Sequence, residues 1–359
     1  MKKIITTFFA SMIACAAVFA QSDMTPLAVV KHNKSETITL KQLKTRVAFV
    51  QKQYGMESFS AEQKQTLLEN MINEKLLCQA AAKNGVAISD TQVDNAFLST
   101  FSQQVGRQVT ESEVEELVKK QSGKTLDEYV REISGMSLVD YKAYLKSQLV
   151  IQNYVSQVKQ NEIRAVAATD EEIRNTFEMN KSSFKWDEMM KLFLVMVPKG
   201  SNDMAAKSLC EDMRNQYIKD SKKAAVFINA PENSKSYQAG ELLIAKTSQQ
   251  AQALRWSDEK LRELFSRKEA YVSETTETTT DFQFYVVLKK YDAKLLSLSD
   301  VVQPETTVTV YDYIKNNLSQ QKQMQYFTKA AQDLAKELNT DANVDHKKKG
   351  DALTKLLNW

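Results

Sequence analysis

The sequence predicts an α+β protein that is mainly helical, on three observations. Up to about Glu162 the chain repeats one pattern, in which a capping residue, an amphipathic run and a glycine or polar stop follow one another as in a succession of short helices. At Met189 to Val197 (MMKLFLVMV) the period disappears into a near-continuous apolar run, the mark of a buried central strand. After Pro304 helical spacing returns over Tyr311 to Leu338. At 359 residues the chain also exceeds what one hydrophobic core usually serves, so two or more domains are expected.

The first twenty residues, MKKIITTFFASMIACAAVFA, place Lys2 and Lys3 before an apolar stretch that ends in the small-residue pattern Val18-Phe19-Ala20. This reads as a secretory signal peptide, and the stretch is short for a membrane span. Two processing outcomes fit. Cleavage after Ala20 is the preferred one; the other is lipidation at Cys15, because Met12-Ile13-Ala14-Cys15 loosely resembles a lipoprotein box. Either outcome places the protein outside the cytoplasm, and the periplasm is the expected compartment. Loss of Lys2 and Lys3 takes the basic count from 48 to 46 against 45 acidic residues, and the remaining lysine runs are short and scattered. Nucleic acid is therefore not an expected partner, since a nucleic-acid binder gathers its basic residues on one face. Cys78 and Cys210 sit on apolar helical stretches in different expected domains and read as buried free thiols.

Leu27-Ala28-Val29-Val30 predicts a short strand, followed by a polar turn and Thr37-Ile38-Thr39-Leu40, with a helix starting near Thr39. Ser60-Ala61-Glu62-Gln63 is a capping box that opens a helix with Leu67, Leu68, Met71, Ile72 and Leu76 on one face, stopped at Asn84-Gly85. Further caps stand at Ser89, Thr110, Thr125 and Ser137. The helix from Ser137 to about Ile163 carries Tyr141, Tyr144, Leu145, Leu149, Ile151, Tyr154, Val155 and Val158 on more than one face. Such a helix is either sandwiched between others or leaves apolar surface open. Thr169 caps a short helix that ends near Phe184; a strand over Met189–Val197 stops at Pro198-Lys199-Gly200, and a helix covers Met204 to Lys219. Gly240 precedes Glu241-Leu242-Leu243-Ile244, Ser257 caps another helix, and Phe282 to Leu288 predicts a last strand. Strand, helix, glycine turn, helix and strand within about a hundred residues make a small α+β domain. The threonine-rich stretch Glu274 to Asp281 reads as a polar surface loop.

In this arrangement the chain resembles the SurA/PrsA-type extracytoplasmic chaperones. The resemblance rests on LAVVKHNKSETITLKQLKTRV (Leu27 to Val47), on LLENMINEKLLCQAAAKNGVAISDTQVDNAF (Leu67 to Phe97) and on ATDEEIRNTFEMNKSSF (Ala168 to Phe184). It implies a signal peptide at 1–20, an N-terminal helical chaperone domain at 21–168, a linker helix at 169–186, a parvulin-like domain at 187–293 and a C-terminal helix and tail at 294–359. That last segment is expected to pack on the N-terminal domain. The implied function is ATP-independent holding of unfolded exported or outer-membrane proteins, with Phe97, Phe101, Tyr141, Tyr144, Leu145 and Tyr154 as client-binding candidates.

The middle domain departs from the family's pattern. Active parvulins have a histidine on the first strand and another on the last; here Phe193 stands near the first position and Tyr285 near the second, and Lys185 to Ala293 contains no histidine. Rotation about an X-Pro bond crosses a barrier of ~18–20 kcal/mol through loss of amide resonance, which takes an apolar pocket and a suitable hydrogen-bonding network. The pocket is available in Phe, Met and Leu side chains. The histidine pair is missing from the network, so a holdase without catalytic residues is preferred and a prolyl isomerase with a substituted site is the alternative. Other chemistries find less support. His32 and His346 stand alone near the two ends, without metal-ligand spacing, and the eight glycines form no phosphate loop, so neither a metal nor a cofactor is expected. Adjacent acids such as Glu115-Glu116 and Glu171-Glu172 point apart on a helix and read as helix-start charges.

Overall fold

The structure, a computed structural model, describes residues 23–200, 202–230, 236–254 and 256–359. The expected signal peptide at 1–20 and the expected lipidation alternative at Cys15 lie outside the described residues. In chain order the first elements are β1 (Pro26–Val30), β2 (Glu36–Thr39), α1 (Leu40–Tyr54), α2 (Ala61–Lys83), α3 (Asp90–Val105), α4 (Glu111–Ser122), α5 (Leu126–Ser134), α6 (Leu138–Val158) and α7 (Gln160–Ala165). Then come α8 (Asp170–Met179), β3 (Lys185–Trp186), β4 (Met189–Pro198), α9 (Asp203–Lys219), α10 (Ser221–Ile228), β5 (Gln238–Ala245), α11 (Ser248–Ala253) and α12 (Asp258–Ser266). The last are β6 (Thr276–Glu277), β7 (Asp281–Tyr291), β8 (Lys294–Leu295), α13 (Val310–Leu338), β9 (Val344–His346) and α14 (Gly350–Leu357). This is a mainly helical α+β fold. It divides into two compact units, one made of the chain up to Ala167 together with Gln320–Trp359, the other of Ala168–Ser319.

Helix starts in the discontinuous unit are set locally. Thr39, Ser60, Ser89, Thr110 and Thr125 each accept a hydrogen bond from the backbone N–H three residues on, and the Gln or Glu side chain at that position accepts one from the cap's own backbone N–H, closing a full capping box. What the helices enclose depends on both ends of the chain. β1 lies between β2 and β9, antiparallel to each, with Ala28 opposite Ile38 on one side and His346 on the other. Leu27, Ile38, Leu43, Leu68, Ile72 and Leu76 share one core with Val344, Leu353 and Leu357. A second core joins Leu77, Ala81, Ile151 and Val155 to Ala330 and Ala335 of α13, and a third gathers Phe97, Val114, Val118, Leu126 and Val130.

The inserted unit is built on an antiparallel sheet ordered β5-β4-β7-β6. Residues opposite one another in such a sheet share a face, so the register sorts the apolar run of β4 into two sets. Phe193, Val195 and Val197 join Phe282, Phe284 and Val286 against α9, where Cys210, Met213 and Tyr217 cover them. Met190 and Leu192 join Ile244 and Val287 against α11 and α12, under Ala251, Leu261, Leu264 and Phe265. A smaller core packs Ile173 and Phe177 of α8 on Leu296, Val310 and Ile314.

Several elements differ from the sequence reading. The long helix ends at Val158 because Lys159 (φ −111°, ψ 21°) leaves helical geometry, and α7 restarts after it. The threonine-rich stretch is not all loop: Thr276 and Glu277 pair with Gln283 and Phe282 as β6. The elements β3, α10, α11, β8, β9 and α14 are additional.

Candidate functional site

Two places combine apolar surface with chemical character. In the inserted unit, α11 and α12 cover only one end of their sheet face; the other end is floored by Leu192, Leu194 and Tyr285 and forms a cavity of about 280 Å³. Trp256, Lys260, Leu264 and Arg267 wall it on the helix side, and Tyr271 and Ser273 on the other. The Arg267 guanidinium lies 4.6 Å from the Tyr271 ring and donates to Glu263 at 2.6 Å, while its Nε is buried with no acceptor among the described residues. Tyr271 and Tyr285 approach to 6.1 Å between ring centroids, and burial raises the Tyr285 phenol above its ordinary pKa. The backbone N–H of Tyr285 donates to Ser273 Oγ at 2.9 Å, which fixes the strand against the segment leading to β6.

Of the two positions singled out in this domain, the structure brings only Tyr285 to the cavity. Phe193 is 2% exposed and points to the opposite face, stacked on Tyr217 with centroids 5.6 Å apart. The physical reason is strand alternation: in an unbroken apolar run the sequence does not say which parity faces which layer. The structure assigns the cavity face to Leu192 and Leu194. Trp256, Arg267 and Tyr271 were missed as well; the signal available was a tryptophan just before the Ser257 cap and an aromatic just after the helix it opens.

In the discontinuous unit an aromatic cluster runs along α6. Tyr141 and Tyr144 lie 6.3 and 5.0 Å from Phe49. Phe97 contacts Phe101 and Tyr141 at 5.4 and 6.2 Å, and Phe101 contacts Tyr129 at 6.5 Å. Tyr144 is held on its ring face by the Arg46 guanidinium at 4.6 Å, and Arg46 is fixed in turn by a bidentate pair with Glu74 at 2.7 and 3.0 Å. Beside it, Arg46, Met71, Cys78, Met136 and Tyr144 contribute to a cavity of about 510 Å³.

Among the candidate residues, Phe101, Tyr141, Tyr144 and Leu145 are half-buried and present part of their surface. Two are corrected. Phe97 is 3% exposed inside the core with Val114 and Val130, and Tyr154 is 7% exposed against Ala330 and Ala335 of α13. Both are packing residues, because a helix-facing aromatic is buried by partners far away in sequence. From Tyr144 to Val150 every residue of α6 is half-buried, so this helix is neither wholly sandwiched nor open on one clean face. Phe49 and Tyr129 join the cluster without having been singled out.

Both thiols are free, Cys78 half-buried and Cys210 buried, and burial pushes each up to about 11, so neither is a thiolate nucleophile near neutrality. His346 lies 3.9 Å from Glu69. Among the described residues no helix is long and apolar enough to cross a membrane, and no cluster of three or more His, Cys, Asp or Glu could hold a metal ion.

No family model and no curated protein matches the sequence. Among solved structures the chain is similar to one of two SurA-like chaperones of Campylobacter jejuni, at 15% identity over 90% of this chain and 100% of that one, with a TM-score of 0.32. It is similar to PrsA from Bacillus subtilis at 18% identity over 94% of this chain and 99% of that one, with a TM-score of 0.28. The foldase protein PrsA from Streptococcus pneumoniae is similar at 16% identity, over 90% of this chain and 96% of that one, with a TM-score of 0.27.

Proposed function

We propose that this protein is an ATP-independent chaperone of the periplasm, a holdase that binds unfolded exported polypeptides and, among them, outer-membrane proteins. The observation that carries the reading is the half-exposed aromatic face of α6, where Tyr141, Tyr144 and Leu145 stand over Phe49 and beside Phe101. Aromatic side chains offer large apolar contact area with few rotatable bonds, so they hold a client at small entropic cost, and the Arg46 clamp removes more of that cost by fixing Tyr144 in advance. Contacts of this kind are weak and tolerant of sequence, as release of the client requires. The leader-like residues 1–20 and the resemblance of Leu67 to Phe97 and Ala168 to Phe184 to SurA/PrsA-type chaperones support the compartment and the client class.

The test is light scattering of an unfolded outer-membrane β-barrel protein diluted out of denaturant. The chain without residues 1–20 suppresses aggregation at molar excess, and Tyr141→Ser with Leu145→Ser weakens the suppression roughly fivefold, equivalent to about 1 kcal/mol. Undiminished aggregation at molar excess defeats the proposal.

A second reading is favoured by the cavity over Leu192, Leu194 and Tyr285, which is apolar and walled by a partly buried arginine donor. Such a pocket suits a prolyl isomerase with a substituted site. A proline-limited refolding assay decides: acceleration of the slow phase, lost in Tyr285→Ala, supports catalysis, and an unchanged slow phase removes it.

A further inference from the structure

β5 forms an edge of the four-stranded sheet: it pairs with β4, and among the described residues no strand pairs on its other side. The ladder fixes which backbone groups face outward. Lys246 N donates to Glu188 O at 2.8 Å, and the register runs on from there without a bulge, with Ile244 opposite Met190, Leu242 opposite Leu192 and Gly240 opposite Leu194. Bonded and non-bonded positions alternate in an antiparallel pair. The even-numbered residues of β5 therefore bond to β4, and Ala239, Glu241 and Leu243 turn their N–H and C=O groups to the outside.

The side chains leave a gap at the same place. Gly240, Leu194 and Tyr285 form one row on the cavity face of the sheet. Nothing lies within 4 Å of the point where a Cβ would stand on Gly240. A strand laid antiparallel along β5 sets one residue opposite Gly240 in a non-bonded pair, the arrangement that brings facing residues closest. The side chain of that residue covers the glycine and points toward Leu194 at the cavity.

Charge selects the occupant. Lys191 is shared between Glu241 at 2.7 Å and Glu305 at 2.6 Å, so the Glu241 carboxylate, more than half exposed, is only partly neutralised and stays open at the edge. A second copy pairing through the same edge, centred on Glu241, would oppose two such carboxylates, which destabilises a strand pair. A segment with a basic residue there gains instead.

Building on the holdase reading, we propose that β5 is a strand-addition site for an extended segment of unfolded polypeptide, with a bulky apolar residue opposite Gly240 and a basic residue next to it opposite Glu241. Main-chain hydrogen bonds supply tolerance of sequence, and the gap over Gly240 supplies the preference.

The experiment uses the full chain without residues 1–20 and a capped, labelled peptide, Thr-Val-Lys-Phe-Thr-Val-Thr, whose Lys falls opposite Glu241 when Phe stands opposite Gly240 in the antiparallel register. Phe opposite Gly240 turns its N–H away from β5, and the residues flanking it turn theirs toward β5. N-methylation of those two flanking residues weakens binding by at least roughly tenfold, whereas N-methylation of Phe does not. Glu241→Pro, which removes an outward N–H at an edge position, weakens it similarly. Peptide also slows amide exchange at Ala239, Glu241 and Leu243. Equal affinity of the two methylated peptides overturns the inference, and so does protection of these amides by self-association without peptide. Aggregation suppression that survives while these amides stay unprotected sinks the strand-addition site and leaves the holdase reading intact.

Discussion

Gly135 closes α5 with φ +74°, and a Cβ added there would meet the backbone carbonyl carbon and Cβ of Ala48 in α1 at 3.4 Å. Left-handed geometry and close approach coincide at this one residue. Gly135→Ala should lower stability by about 1–2 kcal/mol, read from denaturant unfolding, and an unchanged midpoint would show that the two helices can part at no cost. Asp300 answers to charge. Lys294 Nζ at 2.5 Å, then the Ser297 N–H and hydroxyl, hold its carboxyl well below 3.8, at about 2. A depressed carboxylate favours the folded state above its unfolded pKa, and that contribution fades as pH falls through about 2. Asp300→Asn should therefore melt earlier than the parent chain at pH 7 and together with it below about pH 2; a gap that persists in acid would mean the effect is steric. The two thiols and Tyr285 show the other influence at this scale, where burial is the main cause of a raised pKa.

Helices in this chain carry their own start signals, which is why they could be read from the residues. At Ser60, Ser89, Thr110, Thr125 and Thr169 the capping box is completed three residues on, so no distant partner is needed to see it. Thr125→Ala should cost about 0.5–2 kcal/mol, measurable as a lower urea midpoint, and no change would mean that packing of Leu126 and Val130 suffices to start α5. What stayed hidden has the opposite character. Val344-Asp345-His346 becomes a strand only because β1 stands beside it, and Thr276-Glu277 only because β7 does. The candidate site follows the same division. Tyr285 and the half-exposed Tyr141, Tyr144 and Leu145 could be picked out as aromatic or apolar residues on apolar elements. Strand parity put Phe193 on the wrong side of the sheet, and partners in α4, α5 and α13 buried Phe97 and Tyr154. Arg267 gave no signal, since its buried Nε matters only once Leu194 and Tyr285 have formed the floor beneath it.

Two of the three cores of the discontinuous unit draw on both ends of the chain, and among the described residues none of the three draws on a residue between Ala168 and Ser319. Gln323 Nε2 donates to Val166 O at 3.0 Å, so the two ends left by removing the insert already lie together. Replacing Ala168–Ser319 with a short Gly-Ser linker should leave a cooperative thermal transition and helical circular dichroism; a molten chain would mean that the host needs its guest. Deleting everything after Leu338 should do the reverse damage, because Val344, Leu353 and Leu357 are part of the core around Leu27 and Ile72. The position of β1 between β2 and β9 also sets a timetable. A chain emerging N-terminus first can zip β1 to β2 at once, yet β1 stays half-clad until Val344–His346 arrives more than three hundred residues later. The guest, whose sheet is complete by Tyr291, can finish first and draw the long loop short, so that the last strand has less distance to search. Assembly runs from the inside of the sequence outward.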